Sequence, residues 1–484
     1  MQAGRDHLSR RQFLGAALAG GAAMGLGPLG KGVAATQPAT QPTSLPSCRP
    51  NVLFVISDDL NCFPGAFGGH PDARTPNIDR LCARGVTFER GYCPSPLCNP
   101  SRAAVMSGLM PSRTGIYDNR QRMRDCPVTA NCVTLTQHFM QQGYYSAAAG
   151  KIYHMRYPDP ASWDDWDSNT WGAGPDEDDI YKTVDNVWWG PIDSPEEQTG
   201  EHKVAEYGIA QLRRAHDRPF FLSLGFMKPH VPWYAPRRFF EMYPPDKIAL
   251  PLVNENDLDD VPPIPAHWAR QNTFNTIRND GKWPEAAAAY LACISYVDYE
   301  LGRVLDALDA SPYADNTIVV FWGDHGFHLG PKLHWHKTTL WEEACRAPMT
   351  IAAPGISAVG GRCPHPVGFI DFYPTLSDLC GLPIPEGLDG VSLRPLLEKP
   401  NAPWDRPAVT DYKKGNRSVR SRRWRYTRYS DGTEELYDHA ADPLEWRNLA
   451  GESAHADVKA DLARYIPATF ADNAPSADAK DGGE

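Results

Sequence analysis

Asn51-Val52-Leu53-Phe54-Val55-Ile56-Ser57 is a short, continuous apolar run, and it stops on the paired carboxylates Asp58-Asp59. A run without polar alternation predicts a strand covered on both faces, as in the middle of a parallel sheet. Two carboxylates at the end of a core strand are costly to bury without compensation. In open α/β sheets the carboxyl ends of the strands are also where ligands bind.

Helical and strand patterns alternate outward from this run. Helices are predicted over 75–83 and 134–142, and strands over 144–149 and 219–224. The longest helix is predicted near 285–311, with Tyr290, Ile294, Val297, Leu301, Val304, Leu305 and Leu308 on one face. A strand over 317–322 ends in Gly323-Asp324-His325-Gly326, and another follows over 349–353. The alternation predicts an α/β fold: a large, mostly parallel sheet sandwiched by helices. Beyond about 400 the pattern becomes polar, basic and aromatic, with Tyr412, Trp424, Tyr426 and Tyr429 suited to short antiparallel strands. The chain therefore divides into a large domain over 50–400 and a smaller C-terminal α+β subdomain over 401–484.

The first 35 residues read as a leader rather than as part of the fold. Ser9-Arg10-Arg11-Gln12-Phe13-Leu14 is a twin-arginine signature, followed by an Ala-, Gly- and Leu-rich run over 15–29 and the small residues Val33-Ala34-Ala35. The alternative is an N-terminal membrane anchor, which the many glycines disfavour. The expectation is passage through the twin-arginine export machinery to the periplasm or beyond. Residues 36–49, rich in Pro, Thr and Ser, read as a linker.

Of 484 residues, 42% are apolar and 22% charged, so a sizeable core is available. The net charge of −11 argues against a nucleic-acid partner. It does not exclude an anionic substrate, because a local pocket of cations and metal overrides the global sign. The eleven cysteines are an odd number, and setting Cys98 aside leaves ten. Cys126 and Cys132 are close enough in sequence for a disulfide, with free buried thiols as the alternative. Residues 158–200 form a long acidic insertion carrying Trp163, Trp166, Trp171, Trp188 and Trp189. These aromatics either stack on sugar rings or pin the loop to the body.

The most specific stretch is Cys98-Asn99-Pro100-Ser101-Arg102, leading into Ala103-Ala104-Val105-Met106-Ser107-Gly108. It resembles the signature of formylglycine-dependent sulfatases, in the alkaline phosphatase-like superfamily. Gly150-Lys151-Ile152-Tyr153-His154 and Lys228-Pro229-His230-Val231-Pro232 are similar to elements of the iduronate-2-sulfatase-like branch, as is the pair Asp324-His325. Lys337, thirteen residues after Asp324, falls where that branch has a pocket lysine, and the resemblance runs from about 50 to 450.

The resemblance implies that a maturation enzyme oxidises Cys98 to formylglycine, whose hydrate attacks sulfur. It implies calcium held by Asp58, Asp59, Asp324, His325 and the modified Cys98. Arg102 and Lys151 would polarise the nucleophile, and Lys337 and His230 would contact the sulfate, one of them protonating the leaving oxygen. His154 would be the base, and Lys228 an extra cation at the substrate. Oxygen ligands suit a hard divalent ion, and cations around sulfate oxygens are what ester cleavage needs. The expected substrate is an O-sulfated carbohydrate, a 2-sulfated uronic acid or related polysaccharide unit. The alternatives are a phosphonate or phosphate-ester hydrolase, a small-molecule choline or aryl sulfatase, or a sugar-binding protein with an unmodified Cys98.

Overall fold

Every residue of strand β1 (Asn51–Ser57) is buried. Its side chains alternate between two separate cores, with Val52, Phe54 and Ile56 in one and Leu53 and Val55 in the other. That two-sided burial is why the run shows no polar alternation. The computed structural model describes residues 49–477. The leader and all but the last residue of the linker lie outside the described residues.

Seven more strands complete the main sheet: β2 (Val86–Tyr92), β3 (Tyr145–Gly150), β4 (Asp165–Asp167), β5 (Phe220–Phe226), β6 (Thr317–Gly323), β7 (Met349–Ala352) and β8 (Gly361–Gly368). Their order is β8-β2-β7-β6-β1-β5-β3-β4. Only β7 runs antiparallel to its neighbours, β6 and β2; the other pairings are parallel. The sheet is thus mostly parallel, as expected, but the strand near 349–353 is its reversed member. Nothing in a buried apolar strand signals its direction. The long helix, Trp283–Asp309, packs on one face with helices Pro76–Arg84 and Gly200–Arg213. Helices Cys98–Ser107, Leu135–Gln141 and Phe372–Leu379 cover the other.

Three strands had no sequence signal, the three-residue edge strand β4 among them. Strand β2 carries half-buried Glu89 and Arg90, and β8 contains two prolines with a register shift between Cys363 and Pro366. Proline is tolerated there because β8 is an edge strand.

The C-terminal sheet is a four-stranded antiparallel meander: β9 (Ala408–Asp411), β10 (Arg417–Arg420), β11 (Trp424–Arg428) and β12 (Glu434–Asp438). Helix Ala456–Ala463 closes a small core of Val419, Tyr426, Leu436, Leu462 and Ile466 over it. The sheet docks onto the main body through Asp411 N–H to Pro94 O (2.8 Å) and Thr410 Oγ1–H to Cys93 O (2.7 Å).

In the 158–200 insertion, Trp163 and Trp189 are buried in the cores and Trp166 and Trp188 are half-buried. Trp163, Trp166 and Trp189 pin the loop to the body, Trp188 packs within the insertion against Thr183 and Lys182, and of the five Trp171 alone is well exposed. Cys126 and Cys132 are free thiols, like all ten described cysteines, and Cys126 Sγ donates to Thr114 O (3.0 Å).

Phe54 shows how tightly the sheet is clamped, with its ring 5.5 Å from those of Trp322 and Phe372. Phe54→Ala is expected to cost about 3–5 kcal/mol in denaturant unfolding. A loss below about 1 kcal/mol would contradict this packing.

Candidate active site

Ser57, the last residue of β1, pairs with Gly323 of β6 and Phe226 of β5. The chain therefore leaves adjacent strands at one level, and Asp58 and Asp324 emerge side by side. Asp59 follows with φ +60°, a left-handed turn that Asp tolerates better than most residues. Its N–H donates to Asp324 Oδ1 (3.0 Å). Tyr290, from the long helix, holds the turn, donating its hydroxyl to Asp59 O (2.7 Å) and accepting the Asn61 N–H (2.9 Å). Sequence reading placed Tyr290 on an apolar face and did not reveal this role.

Cys98 opens the helix Cys98–Ser107, every residue of which is buried. Pro100 fits the first turn, where its missing N–H has no helical partner to lose. Gly108 ends the helix with φ +73°, donating its N–H to Ala104 O. Cys98 Sγ lies 3.3 Å from His325 Nε2 and 3.2 Å from Lys337 Nζ. Ser101 Oγ–H donates to Asp324 O (2.6 Å), tying the helix to the end of β6. Asn99 ties it to the following loop, donating to Asp118 O and Gln121 O.

Three cations meet the three carboxylates. Arg102 donates Nε–H to Asp324 Oδ2 (2.8 Å), with Nη2 3.3 Å from Asp58 Oδ1. Its Nη1 donates to the carbonyls of Lys151 and Ile152. Lys151 Nζ donates to Asp58 Oδ2, and Lys337 Nζ to Asp59 Oδ1 (2.5 Å). Lys151 is delivered by Gly150, which sits at φ +77° where a Cβ would lie 2.1 Å from Gly225 O, so only glycine fits.

Burial alone would raise Asp58, but Lys151 and Arg102 outweigh it and hold its carboxyl well below the usual range. Asp59 is likewise lowered against burial, by Lys337 and His230. Asp324 is raised, because burial and Asp58 exceed the help from Arg102. Burial, then the Asp58 charge, push the Cys98 thiol well up. Burial works to neutralise Lys337, but Asp59 keeps it firmly protonated.

Two buried carboxylate oxygens, Asp58 Oδ1 and Asp59 Oδ2, have no hydrogen-bond partner. Ligand atoms of Asp58, Cys98, Asp324 and His325 lie within 4.8 Å of one another, as do those of Asp58, Asp59, Cys98 and His230. Orphaned carboxylate oxygens in a mainly oxygen donor set fit a hard divalent cation such as calcium.

Nine of the eleven residues singled out from sequence thus meet at one point: Asp58, Asp59, Cys98, Arg102, Lys151, His230, Asp324, His325 and Lys337. Two stand apart. His154 is buried, with its ring 5.8 Å from that of Tyr157, on the wall of an adjoining cavity of about 230 Å³. Lys228 turns its ammonium onto its own loop, donating to Pro232 O (2.6 Å) and His230 O (3.4 Å).

The histidines after β6 have a structural part that spacing did not reveal. His334 accepts the Arg270 N–H at Nδ1 (2.7 Å), which places its proton on Nε2, and that proton goes to Lys337 O (2.8 Å). His328 donates Nδ1–H to Pro331 O (3.0 Å). These two rings fix the hairpin that presents Lys337.

A family model described as Sulfatase matches residues 50–382, and one described as N-sulphoglucosamine sulphohydrolase, C-terminal, matches 330–471. A sulfatase from Formosa agariphila is 38% identical over 87% of this chain and 87% of its own. A choline-sulfatase from Rhizobium meliloti is 31% identical over 83% of this chain and 82% of its own. The iduronate 2-sulfatase of Homo sapiens is 27% identical over 84% of this chain and 92% of its own. Among solved structures, a phosphonate monoester hydrolase from Silicibacter pomeroyi shares the fold, with a TM-score of 0.72 at 24% identity over 86% of this chain and 94% of its own.

Tyr290→Phe leaves Asp59 O and the Asn61 N–H without their buried partner. It should lower stability by about 1–3 kcal/mol and weaken calcium binding, both read by calorimetry. Unchanged calcium affinity would show that Tyr290 does not hold the Asp59 turn. Burial lowers His336 from 6.5 to about 3. Between pH 6.5 and 3 the unfolded chain therefore binds a proton there that the folded chain refuses, and stability falls as pH drops through this window. Half-buried Glu343 and buried Asp298 and Asp371, all raised mainly by desolvation, act in the opposite direction. The reading is therefore a difference: from pH 7 to pH 5, His336→Gln should lose about 1–2 kcal/mol less than the parent. Equal losses would place His336 in solvent.

Proposed function

The chain belongs to the sulfatase family, and from that premise we propose that it hydrolyses O-sulfate esters of a carbohydrate, a 2-sulfated uronic acid or related polysaccharide unit. In this reading Cys98 is the precursor of a formylglycine nucleophile installed by a maturation enzyme, and calcium is held by Asp58, Asp59, Asp324 and His325. The observation that carries it is the Cys98 sulfur, seated between His325 and Lys337 beside two buried carboxylate oxygens without partners. Bound calcium would supply charge stabilisation and orientation at the sulfate.

The chain's own residues account for the rest. Asp58, Asp59 and Asp324 balance Arg102, Lys151 and Lys337, so a divalent ion leaves the site with about two positive charges for an anionic ester. Arg102, fixed by Asp324 and two carbonyls, holds the nucleophile helix against the carboxylates. His230 donates Nδ1–H to Val231 O, so neutral His230 presents a lone pair at Nε2. Burial lowers it to about 4, which makes it a proton acceptor near neutrality. Lys337, protonated at the nucleophile, is then the donor to the leaving oxygen. His154, on the cavity wall beside Lys151, remains the candidate base for regenerating the nucleophile. The Asp324-His325 pair and the Lys228-Pro229-His230 element favour a sugar sulfate over choline sulfate. The twin-arginine leader fits an exported enzyme meeting polysaccharide outside the cytoplasm.

Protein made with a sulfatase-maturing enzyme should show an aldehyde or hydrate mass at residue 98, and Cys98→Ala should abolish turnover. Catalytic efficiencies compared on a 2-sulfated uronic-acid sugar, choline sulfate and a matched phosphonate monoester should rank the sugar sulfate first. A preference for the phosphonate would overturn the reaction assignment, and a preference for choline sulfate the substrate class.

A further inference from the structure

Beside Lys337, four separate segments of the chain build a wall that the catalytic cluster does not use. The hairpin contributes His336, immediately before Lys337. The stretch ahead of helix Gln271–Asn279 contributes Trp268 and Arg270, the insertion contributes Asp185, and the end of β9 contributes Tyr412 and Lys413. The Trp268 and Tyr412 rings meet edge to face at 4.8 Å, and Lys413 Nζ lies over both, at 5.5 and 5.4 Å. Arg270 pairs with Asp185 at 3.3 Å, yet its side chain is 45% exposed. The wall adjoins the nucleophile: Thr338, next to Lys337, donates its N–H to Pro96 O (3.1 Å), two residues before Cys98.

His336 lies behind this wall. It is 9% exposed, and its buried Nε2 has no hydrogen-bond partner. A buried polar nitrogen is costly unless something bonds it. The carboxylates here are already engaged, Asp185 with Thr273 and Arg270, and Asp118, near Tyr412, with the Arg120 N–H. Lys413 is exposed and has no carboxylate partner among the described residues, so the wall keeps an unneutralised cation in a chain of net charge −11.

We propose that this wall is a second subsite, which takes the anionic sugar adjoining the sulfated one in an acidic oligosaccharide. Trp268 stacks on the ring, and Arg270 and Lys413 hold its carboxylate or second sulfate. Aromatic faces suit the C–H face of a pyranose, and exposed cations beside them confer specificity for an anion. The subsite rests on the sulfatase reading above and extends it: the substrate is a chain of at least two sugars.

Matured parent, Arg270→Ala and Lys413→Ala are compared on a tetrasaccharide bearing 2-sulfated uronic acid and on 4-nitrophenyl sulfate. Each variant should raise KM for the tetrasaccharide by about tenfold with kcat unchanged, and leave the aryl ester unaffected. Lys413 is exposed, so its variant tests the subsite without endangering the fold. Unchanged tetrasaccharide KM in both variants, or equal losses on both substrates, would overturn the subsite. If the matured parent cleaves neither substrate, the sulfatase reading fails by itself. Titration of the tetrasaccharide into Cys98→Ala, with and without Arg270→Ala, then reads the subsite without turnover: a tenfold weaker Kd supports it, and no binding or no difference overturns it.

Discussion

Asp58, Asp59 and Asp324 are three carboxylates withdrawn from water at the ends of two adjacent parallel strands, and the rest of the structure answers to them. Isolated charges at such depth are prohibitively costly, so each needs a cation or hydrogen-bond donors. Arg102, Lys151 and Lys337 meet that need, and each comes from a different part of the chain. Helix Cys98–Ser107, the end of β3 and the hairpin after β6 are therefore all held by the same electrostatic demand. The two oxygens left over, on Asp58 and Asp59, have no hydrogen-bond partner, in a donor set that fits a hard divalent cation.

The scaffold meets this demand by rigidity. Two-sided burial of β1 fixes the level at which the strands end, and Ser57 lies in register with Gly323. Gly150 permits the close crossing that turns Lys151 inward, and Tyr290 reaches across from the long helix to hold Asp59 in its left-handed turn. His334 does the same for Lys337, through a carbonyl rather than the ammonium. None of these three belongs to the cluster of nine, yet each sets the position of a residue that does. The C-terminal sheet is bound to the loop just before Cys98, so it shapes the rim of the site as well as closing a small core.

Much of this was legible in the chain. The apolar runs at 51–57, 219–224 and 317–322 marked the central strands because burial on both faces removes the alternation of polar and apolar positions. The strand near 349–353 was legible as a strand but not as an antiparallel one, since side-chain pattern carries no direction. Strands β2 and β8 were hidden by half-buried charges and by prolines that an edge position tolerates. The five tryptophans of the insertion looked alike in sequence. Packing separated three anchors, Trp163, Trp166 and Trp189, from Trp171, which alone of the five is well exposed.

The sequence by itself determined the candidate groups: a cysteine at a helix start, carboxylates closing two core strands, and lysines and histidines at set distances after them. These follow from residue type and local pattern, which any stretch of chain displays. Only the tertiary structure decided which of them share one site. It brought nine together, turned Lys228 onto its own loop, set His154 on a neighbouring cavity wall, and assembled Trp268, Arg270, His336 and Lys413 from segments with no common signal. The physical reason is that electrostatic compensation and hydrogen-bond geometry act through space over a few ångströms, between residues up to hundreds of positions apart, where no local pattern records them.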